Sequence, residues 1–319
     1  MPAGEFELIR RHFTGRGSVR DDVRLSVGDD AAVVAPRAGA ELVLALDTIV
    51  AGVHFPADTS GRFVGHRALA VNLSDLAAMG AEPAWALLGL TLPAADEAWL
   101  GEFATGFEEL ARRFGVALVG GDIARGPLAA TVTVGGFVPP GKALTRSGAR
   151  AGDELWVSGT PGDAGAGLAI LQGGIAAGGA TREELLRRFL LPEPRVDLGQ
   201  ALRGIASACI DISDGLAGDL EKLCAASGIG ARLDCRRLPR SAQLLEAAGE
   251  AGSMRHALTG GDDYELLFTV PAAARPGVEG LARLAPVRLI GEITAEPAVQ
   301  LLGSDLKRDL VHGFDHFGN

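Results

Sequence analysis

Cysteine, lysine and tyrosine are all scarce in this chain of 319 residues. The three cysteines, Cys209, Cys224 and Cys235, contain no C-x-x-C pair and are odd in number. This argues against a disulfide framework or a thiolate metal centre and makes a reducing cytoplasm the expected setting. No apolar run approaches membrane-spanning length, and even Leu42 to Val50 is interrupted by Asp47. Residues 1 to 11 carry acidic side chains and no apolar signal core, so secretion is not expected. The six histidines form no H-E-x-x-H, no serine sits in a G-x-S-x-G elbow, and no glycine-rich loop ends in Gly-Lys-Ser/Thr. Those gaps remove metalloprotease, α/β-hydrolase and P-loop readings. Basic blocks are also missing: the net charge is −10 and the pI near 5.1, so neither a nucleic-acid nor a membrane partner is expected. Only three of the 30 cationic side chains are lysine (Lys142, Lys222, Lys307), a bias read as genomic.

What is present in excess is glycine, 45 residues spread along the chain without periodicity. Such use predicts many tight turns and close backbone approaches. Length suits two domains, each able to bury a core. In the first half the pattern predicts a helix over 5–13, a strand ending in Gly28-Asp29-Asp30, and a strand 42–46 delivering Asp47. A helix over 62–79 follows, with Leu69, Leu73, Leu76 and Ala77 on one apolar face and Asn72 and Asp75 on another. Next come a strand 85–92, a helix 96–114, a strand 116–119 feeding Gly120-Gly121-Asp122, and a strand 131–138 whose Gly135-Gly136 suggests a bulge. Residues 147–153 read as a linker. Beyond it the pattern gives a strand 154–158, a glycine-rich turn and helix, a strand 205–212, a helix from Leu216 capped near Gly228, and a turn at 260–263 entering a strand. The expected fold class is α+β, mixed α/β, with an N-terminal domain at 1–147 and a C-terminal domain at 148–319.

The chemistry lies in four short motifs: Gly28-Asp29-Asp30, Asn72-Leu73-Ser74-Asp75, Gly120-Gly121-Asp122 and Asp211-Ile212-Ser213-Asp214-Gly215. Any single aspartate in a turn is ordinary punctuation, and Ser213 or Asp214 could simply cap the helix that follows. Recurrence changes the reading, because gathered carboxylates repel one another unless hard cations lie between them, and Mg²⁺ prefers oxygen ligands shared with phosphate. Arg146, just before the linker, would suit a nucleotide phosphate. Gly159 to Gly165 has the glycine content of a phosphate loop, but a tight turn before a helix is the favoured reading. A catalytic base is not evident. That fits an acceptor that is itself a phosphate, whose oxygen is already ionised near neutral pH. The barrier is then repulsion between anions, about 4 kcal/mol per pair of unit charges at 4 Å and an effective dielectric of 20. Several Mg²⁺ ions would relieve it.

On these residues the chain resembles the thiamine-monophosphate kinase family, of the superfamily shared with aminoimidazole ribonucleotide synthetase, selenophosphate synthetase and a hydrogenase maturation factor. The likeness runs from Gly4-Glu5-Phe6 to Phe314-Asp315-His316-Phe317. It is densest in GDDAA (28–32), DTIVAGVHF (47–55), AVNLSDLAAMGAEPAW (70–85), GGDIARGPL (120–128), ALTRSGA (143–149), DISDGL (211–216) and GGDDYEL (260–266). The resemblance implies ATP-dependent phosphorylation of thiamine monophosphate to thiamine diphosphate by a cytoplasmic homodimer. It further implies an N-terminal mixed-sheet domain that binds ATP and Mg²⁺ and dimerises through its strands. A C-terminal α/β sandwich would complete the nucleotide and substrate site. By the same resemblance Asp30, Asp47, Asp75, Asp122, Asp211 and Asp214 are Mg²⁺ ligands, with Asp30, Asp75 and Asp122 central to catalysis. Gly121, Asp122, Arg146 and Ser213 would contact the nucleotide, and His54, Asp262 and Phe314 the thiamine moiety.

Three departures from the family pattern stand out. Ala45 and Leu46 replace hydroxyl residues before Asp47, Asp262 stands where glutamate is usual, and Phe314 replaces a tyrosine or tryptophan. Two alternatives stay open at this stage: another ATP-dependent synthetase of the superfamily, against which the His54 segment and the C-terminal tail argue, and a catalytically weak thiamine-phosphate or nucleotide-binding protein.

Overall fold

The structure is a computed structural model that describes residues 4 to 303. The chain divides into two compact units. One holds the residues up to Leu76 together with Ala81–Gly141; the other holds Ala77–Gly80 and the residues from Lys142 onward.

The first unit comprises α1 (Glu5–His12), β1 (Val23–Leu25), β2 (Val33–Val34), β3 (Glu41–Val50), α2 (Gly61–Ala78, whose last two residues belong to the second unit), β4 (Glu82–Leu92), α3 (Glu97–Arg113), β5 (Ala117–Arg125) and β6 (Ala129–Val138). Four strands form a sheet in the order β3-β6-β4-β5, antiparallel except for β4 beside β5. The α3 helix starts where Asp96 accepts hydrogen bonds from the N–H groups of Ala98 and Trp99, and it ends on Arg112 and Arg113. Both ends match the helix dipole. Its face of Leu100, Phe103, Phe107 and Leu110 is buried.

The expected single apolar face of α2 is corrected by the structure. From Arg67 to Ala78 every side chain except Asp75 is buried, so this stretch of α2 is covered round nearly its whole circumference. Two glycines make this packing possible. A Cβ on Gly65 would lie 2.0 Å from the carbonyl oxygen of Phe103, and one on Gly106 would lie 1.9 Å from that of Arg62. The α2 and α3 backbones therefore touch with no side chain between them.

Strand boundaries also differ from the sequence reading in a way that matters for the site. β3 runs through Asp47, and β5 runs through Gly120-Gly121-Asp122 instead of ending there. The register of β5 against β4 slips between Ala86 and Leu87, and Gly121 adopts φ +152°, where a Cβ would meet the Leu88 carbonyl oxygen at 1.9 Å. Backbone pairing, strong enough to continue the strand, uses glycine to absorb the irregularity. The bulge expected at Gly135-Gly136 appears on the partner strand, between Pro83 and Trp85 of β4.

The second unit comprises β7 (Glu154–Ser158), α4 (Asp163–Leu171), α5 (Gly179–Leu190), α6 (Val196–Leu202), β8 (Ala208–Asp211), α7 (Leu216–Ser227), β9 (Gly230–Asp234), α8 (Ala242–Thr259, kinked at Gly249), β10 (Leu266–Val270), α9 (Arg275–Glu279), β11 (Val287–Thr294) and β12 (Val299–Leu302). Its six-stranded sheet has the order β12-β9-β11-β7-β10-β8, with only β12 and β9 parallel. Leu216, Leu220 and Leu223 of α7 bury against Leu155, Val157, Ile210 and Leu267 of that sheet. A separate cluster knits α4, α5 and α8 through Ala166, Ile170, Leu185 and Leu244. The predicted cap at Gly228 is present, with the left-handed φ of +67°. Both units are thus mixed α/β structures, as the sequence patterns require.

Candidate functional site

In the first unit Asp30 and Asp122 line one pocket of about 800 Å³, together with Gly28, Asp29, Gly120 and Gly121. Asp30 lies in an exposed loop whose start is pinned by its own N–H donating to Asp29 Oδ1 at 2.8 Å. Asp122 is exposed on β5, directly after the glycine that absorbs the strand irregularity. Asp47 sits on β3 with its N–H donating to Asn72 Oδ1 at 3.0 Å, while Asn72 Nδ2 donates to the Ala68 carbonyl. Asn72 is wholly buried, so it fixes the strand bearing Asp47 to the helix bearing Asp75. Asp75, one turn further on, is the half-buried exception on that helix. His54 lies in the turn after β3, and its Nδ1 accepts the Val50 N–H at 3.0 Å. A neutral His54 therefore carries its proton on Nε2.

In the second unit the Asp211 to Gly215 segment leaves β8 and enters α7. Asp211 is buried, and Ser213 and Asp214 are half-buried. Neither Ser213 nor Asp214 caps α7, whose N-cap is Gly215 with no side-chain bond. Instead the buried Asp219 reaches back, and its Oδ2 accepts the N–H groups of both Ser213 and Asp214 at 3.0 Å. Burial pushes the Asp219 carboxyl up from its ordinary value, against the pull of its bond with Lys222. Arg146 is exposed, with its carbonyl accepting from Ser227 Oγ at 3.1 Å.

The Gly260 to Glu265 segment is stitched to that same loop. The Asp262 N–H donates to the Ser213 carbonyl at 2.9 Å, and the Tyr264 N–H to that of Ile212 at 2.8 Å. Asp262 and Tyr264 both hold positive φ (69° and 52°), an unfavourable state for non-glycine residues that these bonds help impose. Tyr264, the chain's single tyrosine, donates its hydroxyl to Asp262 Oδ1 at 3.2 Å. Phe314 lies outside the described residues.

Sequence reading gave Asp263 and Glu265 no role, although both stand in the GGDDYEL motif. Asp263 is buried, and its carboxylate accepts the N–H groups of Gly162 and Ala164 at the start of α4. That N-terminus is already filled by the protein's own carboxylate, so the glycine-rich segment 159–165 is a turn, as favoured. Glu265, with no exposure, accepts from Arg195 through two N–H groups (2.5 and 2.6 Å), from Arg188 at 2.7 Å and from Ser158 Oγ at 2.5 Å. Burial alone would raise its pKa, but the two guanidiniums hold it down to about 2.

The predicted ligands are all aspartate, an oxygen set that suits Mg²⁺ and not a thiolate or imidazole metal. Among the described residues no three or more His, Cys, Asp or Glu side chains form a group that could hold an ion. Mg²⁺ bound by one or two carboxylates, with phosphate oxygens and water completing the shell, needs no such cage. The residues fit a metal brought in with a nucleotide.

The chain belongs to the AIR synthase related proteins. The N-terminal domain model of that family matches residues 28–138 and the C-terminal domain model residues 150–303. Within it, this chain belongs to the thiamine-monophosphate kinase family. The thiamine-monophosphate kinase of Escherichia coli (strain K12) is 48% identical over 299 residues, covering 93% of this chain and 92% of its own. The crystal structure of thiamine-monophosphate kinase from Stenotrophomonas maltophilia K279a superposes with a TM-score of 0.85 at 46% identity, covering 90% of this chain and 93% of that one. A second structure, AaThiL complexed with AMPPCP and TMP, gives a TM-score of 0.80 at 32% identity with 92% of each chain covered.

Proposed function

We propose that this protein transfers the γ-phosphoryl group of ATP to thiamine monophosphate, yielding thiamine diphosphate and ADP. The observation that carries this reading is the 48% identity to a thiamine-monophosphate kinase across 93% of the chain. It gains support from a related structure that holds both an ATP analogue and TMP. A terminal oxygen of the acceptor phosphate attacks the γ-phosphorus as the bond to the β,γ-bridging oxygen breaks, and the electron pair leaves with ADP. No proton has to be removed from an ionised phosphate, so the aspartates are left to hold metal and none is needed as a general base.

Mg²⁺ would neutralise the phosphate oxygens as charge shifts to the leaving group. Asp30, Asp47, Asp75, Asp122, Asp211 and Asp214 are its proposed ligands. Gly121 gives the nucleotide close backbone approach, and Arg146 and Ser213 supply phosphate donors. His54 Nε2–H and the carboxylate of Asp262 orient the thiamine, and Phe314 stacks on it. Anchoring the remote ring sets the phosphate for in-line attack. ATP-dependent formation of thiamine diphosphate by the purified chain is the direct test, and its absence with Mg²⁺ and both substrates at millimolar concentration would refute the reading.

Phe314→Ala should raise the KM for thiamine monophosphate several-fold and leave the KM for ATP nearly unchanged. Stacking contributes roughly 0.5 to 1.5 kcal/mol beyond area burial. A lowered Tm with an unchanged acceptor KM would show that Phe314 only packs.

The active form is proposed to be a cytoplasmic homodimer. Leu42, Leu44 and Leu46 alternate along β3 at 44%, 64% and 59% exposure, and Leu87 of β4 is 43% exposed. Four large apolar side chains on strands of one sheet suit a protein interface better than water. Light scattering is expected to give twice the 32.8 kDa chain mass at micromolar concentration, and a monomer there would count against the dimer. The cytoplasmic setting draws on three buried cysteines with no disulfide between them. Among the described residues no helix is long and apolar enough to cross a membrane.

A further inference from the structure

Two aspartates of this chain, Asp22 and Asp234, are held by the two-pronged fork of an arginine. Asp22 is held by Arg20 through Nε at 2.9 Å and Nη2 at 2.7 Å, and Asp234 by Arg236 at 2.9 and 3.1 Å. Asp214 is treated differently. Its Oδ2 takes a hydrogen bond from Lys222 Nζ, one of only three lysines in the chain. The same ammonium donates to Asp219 Oδ1 at 2.8 Å. Lys222 thus bridges two carboxylates of unlike standing. The Asp219 side chain is 1% exposed and immobilised by the Ser213 and Asp214 N–H groups, whereas the Asp214 side chain is 33% exposed and Lys222 is 42% exposed.

We propose that Lys222 is a resident stand-in cation for Asp214: it holds that carboxylate in the metal-free protein and yields it when a divalent cation arrives, while Asp219 keeps the ammonium docked. The inference rests on the metal-assisted reading of the site. Three features support it. Asp219 clamps the backbone of the loop, so Asp214 can change partner without the loop moving. A lysine ammonium is a point charge that makes one bond to Asp214, where a guanidinium could make two, so it is the more easily displaced cation. The pair is also partly solvated, the setting in which an ion pair is weak enough to exchange. Lys222 is therefore a positioning residue that acts through Asp214.

Two variants of the full chain should move in opposite directions. Mn²⁺ binding is followed by electron paramagnetic resonance in the presence of AMPPCP, with melting temperature and metal-free AMPPCP affinity measured alongside. Lys222→Gln removes the competitor and should tighten Mn²⁺ by about two- to fivefold, the scale of a partly exposed ion pair. Lys222→Arg should grip Asp214 through two N–H groups and weaken Mn²⁺ by at least as much. Metal affinity unchanged in both variants overturns the proposal, and so does a loss of AMPPCP affinity in Lys222→Gln, which would make Lys222 a nucleotide contact. If the wild-type chain itself binds no Mn²⁺ beside AMPPCP, the metal-assisted reading fails and takes this proposal with it. That result is distinct from wild-type binding that neither variant alters.

Discussion

Asp122→Asn is expected to leave the protein folded and reduce turnover by about 100-fold or more. Asp122 is exposed at the rim of a pocket it shares with Asp30, and it contributes nothing to the core. The amide keeps the shape and loses the charge. If the carboxylate holds Mg²⁺ against the transferring phosphoryl group, the loss falls on the transition state, where single electrostatic contacts are worth two to three orders of magnitude. Turnover should drop more than ATP affinity, and Tm should stay within about 2 °C of wild type, as for surface substitutions in general. Near wild-type turnover at saturating Mg²⁺ in a folded variant would remove Asp122 from the machinery.

Glu265→Gln should do the reverse, damaging the fold first. Glu265 lies with no exposure between Arg188 and Arg195, and Gly159, at φ +58°, leaves room for its carboxylate. Neutralising it removes the carboxylate that both guanidiniums share, leaving Arg188 only the more distant Asp163 at 3.9 Å. Breaking a buried pair from one side costs about 3 to 5 kcal/mol, a large part of a typical total stability. The Tm should fall by about 6 to 20 °C. The pH dependence gives a second signature. Glu265 is held at about 2 when folded, against 4.5 for the free carboxyl. Its contribution is therefore fully present above about 4.5 and is lost as pH falls toward 2. The Tm gap between wild type and variant should be widest at neutral pH and shrink between pH 4.5 and 2. A gap that stayed constant over that range would place the stabilisation elsewhere.

These two residues mark how far sequence alone reaches. Asp122 stands out as a candidate in sequence because a glycine pair followed by aspartate recurs with other aspartate motifs, and chemistry with phosphate would explain the recurrence. Glu265 was not, although it stands in a recognised motif: its partners Arg188 and Arg195 lie 77 and 70 positions away, and only the fold brings them together. Helix and strand identities were readable from periodicity and, at Gly228, from a cap. Their ends were less so. β5 continues through Gly121 because pairing with β4 overrides the local preference for a turn, and no local pattern records that pairing. The burial of α2 was missed for a related reason. Its leucines announce one face, but its alanines and glycines are silent about the other until α3 is packed against it. Asp219 escaped notice because, in sequence, it is one more acid in the first turn of a helix.

The glycines of α2 and α3 give the composition a different meaning for anyone who would redesign this protein. High glycine content suggests slack in the chain, yet at Gly65 and Gly106 it works as a spacer of zero thickness between two backbones. No side chain can be accepted at either position without separating the helices. A variant library should therefore hold those two glycines constant, although they lie far in sequence from any proposed ligand except Asp75 and Asp122, and spend its diversity on the exposed loops.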